Sequence, residues 1–176
     1  MSGGVWALLG SAEFLPWAEE VDLWSLDRAR PGPVLLLPTA SAPEGEEVFD
    51  RWGRMGLEHY ARLGVDAEVV QLKTREDAER ADLASRLDAA GAVFFSGGTP
   101  GSLAATLAGT RFWATLMANL DVGLGYGGCS AGIAALGRAS RVAPPPEHVL
   151  ARAGCVPRNE PGSPLGSRGC SRPRPP

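Results

Sequence analysis

The sequence predicts an α/β fold, a three-layer sandwich built on a parallel, flavodoxin-like sheet of about five strands. Two observations carry that expectation. Short apolar runs alternate with longer amphipathic stretches, and strands spaced by helices of this length imply right-handed βαβ crossovers and a parallel sheet covered on both faces. In the clearest helical stretch, from about Glu44 to Leu63, the residues Val48, Trp52, Met55, His59 and Leu63 recur at steps of three or four, the period of a helix face.

Taken in order, Val5 to Leu9 (VWALL) reads as a strand bounded by glycines. Pro16 to Arg28 reads as a helix, with proline suited to the first turn, where its missing N–H has no intrahelical partner to lose. Val34 to Leu37 is a buried second strand ending in the loop Pro38-Thr39-Ala40-Ser41-Ala42-Pro43, and Gly64 stops the helix that follows. Ala67 to Leu72 is the third strand. Thr74 then caps a helix running to about Ala89, with Asp77 three residues on completing a box-like start. Ala92 to Phe95 is the fourth strand, followed by Gly97-Gly98-Thr99-Pro100 and a helical stretch to about Asn119. Val122 to Tyr126 is the fifth. Ligands of such sheets bind outside the carboxyl ends of the strands. The loops Gly10–Leu15, Thr39–Gly45, Gly97–Gly101 and Gly127–Gly132 are therefore the ones expected to build a site.

Composition narrows the function classes. The 176 residues carry a formal charge of −3, without blocks of like charge, so neither a nucleic acid nor a membrane surface is an expected partner. No run approaches the ~20 apolar residues of a membrane span, and the start MSGGVWALLG lacks the basic flank of a signal peptide. Cys129, Cys155 and Cys170 fall in no metal-ligand spacing, and two histidines leave little for metal chemistry, so no metal or cofactor is expected. The only lysine, Lys73, lies outside any glycine-rich loop, which excludes a phosphate loop. A cytoplasmic protein is the default reading. Residues 1–138 hold all twelve aromatic residues, whereas 139–176 hold nine of the fifteen prolines, six arginines and two glutamates. The first segment is expected to be the α/β domain. The second reads as a Pro/Arg-rich tail, either a disordered extension or the product of GC-rich DNA translated in a wrong frame.

The sharpest motif is Gly128-Cys129-Ser130-Ala131-Gly132, set between a predicted strand and a predicted helix. This is the G-x-S-x-G nucleophile elbow: a tight turn strains the serine backbone and exposes its hydroxyl, and the following helix offers unpaired N–H groups to an oxyanion. Ser130 is the candidate nucleophile and the Ala131 N–H the first oxyanion donor; a glycine-rich packing turn is the alternative. Phe94-Phe95-Ser96-Gly97-Gly98-Thr99 supplies a second loop whose glycines allow backbone N–H groups to approach a substrate closely; a plain strand-to-helix turn with Pro100 near the helix start is the alternative. Gly123, Gly125 and Gly128 also satisfy G-x-G-x-x-G, but two of them fall inside the predicted fifth strand and no acidic residue follows at the ribose position, so nucleotide binding is not expected.

Together with Leu9-Gly10-Ser11-Ala12-Glu13-Phe14 after the first strand and Leu37-Pro38-Thr39-Ala40-Ser41-Ala42-Pro43-Glu44-Gly45 after the second, these loops resemble peptidase family S51, the dipeptidase E and cyanophycinase group with the class I glutamine amidotransferase-like fold. The resemblance covers residues 1 to about 138. It implies a serine hydrolase acting on small peptides or isopeptides through an acyl-enzyme on Ser130, with Gly98 and Ala131 forming the oxyanion hole. The chain departs from the family pattern at Thr99, where asparagine is usual, and at Cys129, where threonine or glutamate is common.

A serine nucleophile needs a base. The family places its histidine downstream of the elbow, where this chain offers His148 in a proline-rich setting. His59, some fourteen residues into a crossover helix, is expected ~20 Å from Ser130 at ~1.5 Å per residue, as a packing or surface residue. Glu13, after the first strand, faces the same sheet edge and is expected to contact substrate or nucleophile, or to be a plain helix N-terminal acid. Two other functions stay open: a non-catalytic pseudoenzyme or binding module that keeps the pocket, and an amidotransferase-like enzyme using Cys129. An unpaired apolar edge beside the fifth strand is expected to favour a homodimer or poor solubility.

Overall fold

The computed structural model describes the backbone of residues 3–142 and the side chains of residues 3–137. Five strands, β1 (Trp6–Leu9), β2 (Val34–Leu37), β3 (Ala67–Val69), β4 (Ala92–Phe95) and β5 (Gly125–Cys129), form one sheet in the order β1-β5-β4-β2-β3. Every pairing is parallel, so all five carboxyl ends lie at one edge. β5 therefore sits in the interior, between β1 and β4. This corrects the expectation of an open edge beside the fifth strand: the outer strands are β1 and β3, and β1 leaves Trp6 and Leu8 about half exposed.

Side-chain alternation divides the core into two layers, because successive residues of a strand face opposite sides of the sheet. On one side Leu35, Leu37, Val93, Phe95 and Tyr126 pack against helices α3 (Arg75–Glu79), α4 (Ala81–Ser85), α5 (Pro100–Leu107), α6 (Arg111–Leu120) and α7 (Ala131–Val142). On the other, Leu9, Val34, Leu36, Ala92, Phe94 and Cys129 pack against α1 (Glu19–Leu26) and α2 (Glu46–Arg62). The three-layer α/β arrangement is thus present. No helix among the described residues is long and apolar enough to cross a membrane.

Local differences from the sequence reading have identifiable causes. β5 lies three residues later than the apolar run Val122–Tyr126. Val122 is exposed in the preceding turn, and the strand is GYGGC, whose glycines make room for neighbours: a Cβ on Gly127 would stand 2.4 Å from the Phe94 ring. Of Gly123 and Gly125, both expected in the fifth strand, only Gly125 lies within β5. The helix predicted from Pro100 to Asn119 is two helices, divided at Gly109 (φ 69°) and restarted by Thr110, whose side chain accepts from Trp113 N–H. The stretch after Thr74 begins with the expected capping box but breaks at Arg80, which is extended (φ −70°, ψ 127°). The compositional boundary at 138/139 falls within α7, and His148 lies outside the described residues.

Candidate active site

The carboxyl-edge loops converge through their backbones. Leu9 pairs with Cys129 in register, and the Ser130 N–H donates to Leu9 O at 3.0 Å, which ties the elbow to the end of β1. Thr99 N–H donates to Ala40 O at 2.8 Å, joining the turn after β4 to the turn after β2. Gly98, at φ +142°, passes so close to Ala40 that a Cβ there would meet its carbonyl carbon at 2.5 Å. No other residue type fits. Gly132 is equally constrained, because a Cβ would stand 2.5 Å from Phe95 O. The second glycine of the motif thus lets α7 start directly against β4.

Ser130 occupies the turn itself. Its φ is +48°, a left-handed conformation that costs an L-residue roughly 1–2 kcal/mol, and its side chain is exposed whereas β5 before it is fully buried. Its carbonyl accepts from Ile133 and Ala134 N–H and so begins α7. Ala131, the first residue of that helix, has no carbonyl one turn behind it, so its N–H is one of the orphan donors of a helix start. Gly98 N–H makes no backbone hydrogen bond among the described residues, whereas the Gly97 N–H is already taken. Both donors expected for an oxyanion are therefore unengaged, and a Cβ built on Gly97 would lie 3.8 Å from Ser130 Cβ.

The group that takes the Gly97 N–H is Glu13. Its Oε1 accepts from Gly97 at 2.8 Å and its Oε2 accepts from the Cys129 thiol at 2.8 Å, with the residue 5% exposed. None of its hydrogen bonds reaches Ser130 or the helix start at Pro16. Glu13 is flanked by Ala12 (φ 61°) and Phe14 (φ 64°). With Ser130 these are the only non-glycine residues of positive φ among the described ones. Backbone strain of this kind persists where surrounding structure over-determines it, and it concentrates at functional sites.

Cys129 is fully buried. Burial first, then the hydrogen bond and negative charge of Glu13, push its thiol up to about 12, so it stays protonated at neutral pH. Ser96, one residue before Gly97, is 2% exposed, and its Oγ is the one buried side-chain N or O atom among the described residues without a hydrogen-bond partner.

His59 is engaged elsewhere. It is fully buried, a packing rather than a surface histidine, and its Nε2 lies 2.7 Å from Asp22 Oδ2. Arg62 donates to its Nδ1 at 3.3 Å, which leaves Nε2 to carry the proton toward Asp22. The same Arg62 reaches Phe14 O at 3.5 Å, and the Phe14 ring stands 5.6 Å from that of His59. This cluster, buried at Asp22, His59 and Phe14 with Arg62 at its exposed rim, anchors the strained loop that carries Glu13. Sequence reasoning missed it, because nothing local connects Asp22 to His59.

A parallel α/β sheet whose strand-to-helix turn presents a left-handed serine beside unengaged N–H groups has the form of a nucleophile elbow. The chain belongs to peptidase family S51, whose model matches residues 8–144. Among solved structures it is similar to a peptidase from an acI-B1 Actinobacterium, at 32% sequence identity and a TM-score of 0.70 over 74% of this chain. The chain spans 55% of that peptidase's length. None of the curated proteins matches.

Proposed function

We propose that the chain is built for serine-type hydrolysis of small peptides or isopeptides, with Ser130 as nucleophile and the N–H groups of Gly98 and Ala131 as the oxyanion hole. The observation that carries this is the left-handed, exposed Ser130 with its orphan helix N–H beside it. Ser130 Oγ adds to the carbonyl carbon, and its proton passes to a general base, for which His148 is the candidate in this chain. The tetrahedral oxyanion is held by the two N–H groups. Its collapse expels the amine with that proton and leaves an acyl-serine, which water then hydrolyses. Cys129-dependent chemistry has less support, because the nucleophilic form of cysteine is the thiolate, and burial beside Glu13 opposes that form. The reading includes a cytoplasmic location, compatible with the free buried thiol of Cys129, and self-association through the outer strand β1 with its exposed Trp6 and Leu8.

One observation favours a second reading, a binding module that holds a peptide without cleaving it: the histidine among the described residues, His59, is committed to Asp22. Amine release from a library of dipeptides and isopeptides separates the two. Release that disappears in Ser130→Ala supports the hydrolase. Saturable binding with no release, unchanged in Ser130→Ala, supports the module.

A further inference from the structure

Glu13 is a buried carboxylate whose two oxygens are each used once, on groups from two different segments. Gly97 belongs to the turn after β4, which carries the Gly98 N–H. Cys129 is the residue before Ser130. Both partners are donors, an amide N–H and a thiol S–H, and the side chain accepts from each with a different oxygen. It reaches them from a loop bent into the left-handed region on either side of it, at Ala12 and Phe14. That loop is fastened from behind by Arg62, through Phe14 O, and by the packing of Phe14 on His59. A strained loop, held from below, thus presses one carboxylate between two halves of the site.

We infer that Glu13 is a positioning residue: by accepting from Gly97 and Cys129 together it sets the distance between the Gly98 N–H and the Ser130 hydroxyl. The inference rests on the proposed hydrolase reading, in which that distance is the one between oxyanion donor and nucleophile. Glutamine has the same shape but turns one acceptor into an NH₂ donor, so it keeps one of the two bonds and sets donor against donor at the other. Whichever end of the amide faces Gly97, one of the two segments loses its acceptor and a single side chain no longer holds both. Displacements of about 1 Å at a reacting centre cost on the order of a hundredfold in rate.

The test measures inactivation by a fluorophosphonate, separating its affinity constant from its maximal rate constant. It is carried out on wild type and on Glu13→Gln, both in a Cys155→Ser, Cys170→Ser background that leaves Cys129 as the single thiol. The expected result is a maximal rate at least tenfold lower in Glu13→Gln, with affinity within twofold and folding intact by circular dichroism. The Cys129 S–H stretching band, read by infrared spectroscopy, should move to higher frequency as the carboxyl acceptor is lost, which ties the loss of rate to this contact rather than to a general loosening of the fold. Wild-type labelling that persists at full rate in Glu13→Gln overturns the inference alone. A wild-type chain that is not labelled overturns the hydrolase reading, and this role with it. Should Glu13→Gln fail to fold, Glu13→Asp, which keeps the charge and shortens the reach by one methylene, is read by the same constants with the same expectation.

Discussion

Glu13 and Cys129, 116 residues apart in the chain, meet at 2.8 Å in the buried ground beside the Ser130 turn. Their contact joins the loop after the first strand to the elbow after the last, and it fixes the chemical state of the cysteine. A thiol that donates to a carboxylate in an apolar layer is held back from ionising.

Cys129 should accordingly resist alkylation. With the fold intact at pH 7 to 8, iodoacetamide is expected to leave it unmodified and to modify it after denaturation, as read by peptide mass mapping. The sign of the pH effect follows. Its folded value, about 12, lies above the ordinary 9.0, so the thiol's stabilising contribution is complete below pH 9 and is lost as pH rises from there toward 12. Urea titrations should show a shallower alkaline loss of stability in Cys129→Ala than in wild type.

Gly98→Ala and Gly132→Ala should both be costly. Each added methyl group meets backbone at 2.5 Å, and at Gly98 the left-handed φ adds strain. Overpacking of this kind costs about 1–3 kcal/mol. Gly64→Ala is the control for the conformational part, because it shares a positive φ but would have no neighbour within 4 Å. Denaturant midpoints should fall further for Gly98→Ala than for Gly64→Ala.

The Asp22–His59 pair offers a prediction with two parts. Replacing His59 by leucine leaves a buried carboxylate without its partner and should destabilise the fold by about 3–5 kcal/mol. Burial raises the Asp22 carboxyl above the usual 3.8, against the opposing hydrogen bond from His59. A raised folded value means that its contribution is greatest below pH 3.8 and declines as pH rises through the folded value. The stability advantage of wild type over Asp22→Asn, measured by urea unfolding, should therefore shrink from pH 4 upward.

Much of the fold was legible because its central strands are plainly apolar. Val34–Leu37 and Ala92–Phe95 match their predicted bounds to the residue, and the Thr74–Asp77 box closes as read, with Asp77 N–H donating to Thr74 Oγ1 at 3.2 Å. The fifth strand was misplaced because GYGGC has almost no strand propensity. It is a strand because neighbouring side chains, Phe94 above all, occupy the space its glycines leave empty. The break at Gly109-Thr110 carried a local signal, whereas the one at Arg80 carried none. At the site the elbow was legible, since its residues are contiguous. The partners of Glu13 were not, because a contact across 84 or 116 residues follows from sheet order, and strand order is not written in any local pattern.

The central claim is that Ser130 is a poised nucleophile. The direct measurement is reaction of the intact chain with a fluorophosphonate, followed by intact mass and peptide mapping. One adduct per chain, mapped to Ser130 and absent from both Ser130→Ala and heat-denatured protein, is the expected result. A folded chain that takes up no adduct, or takes it up equally in Ser130→Ala, would contradict it.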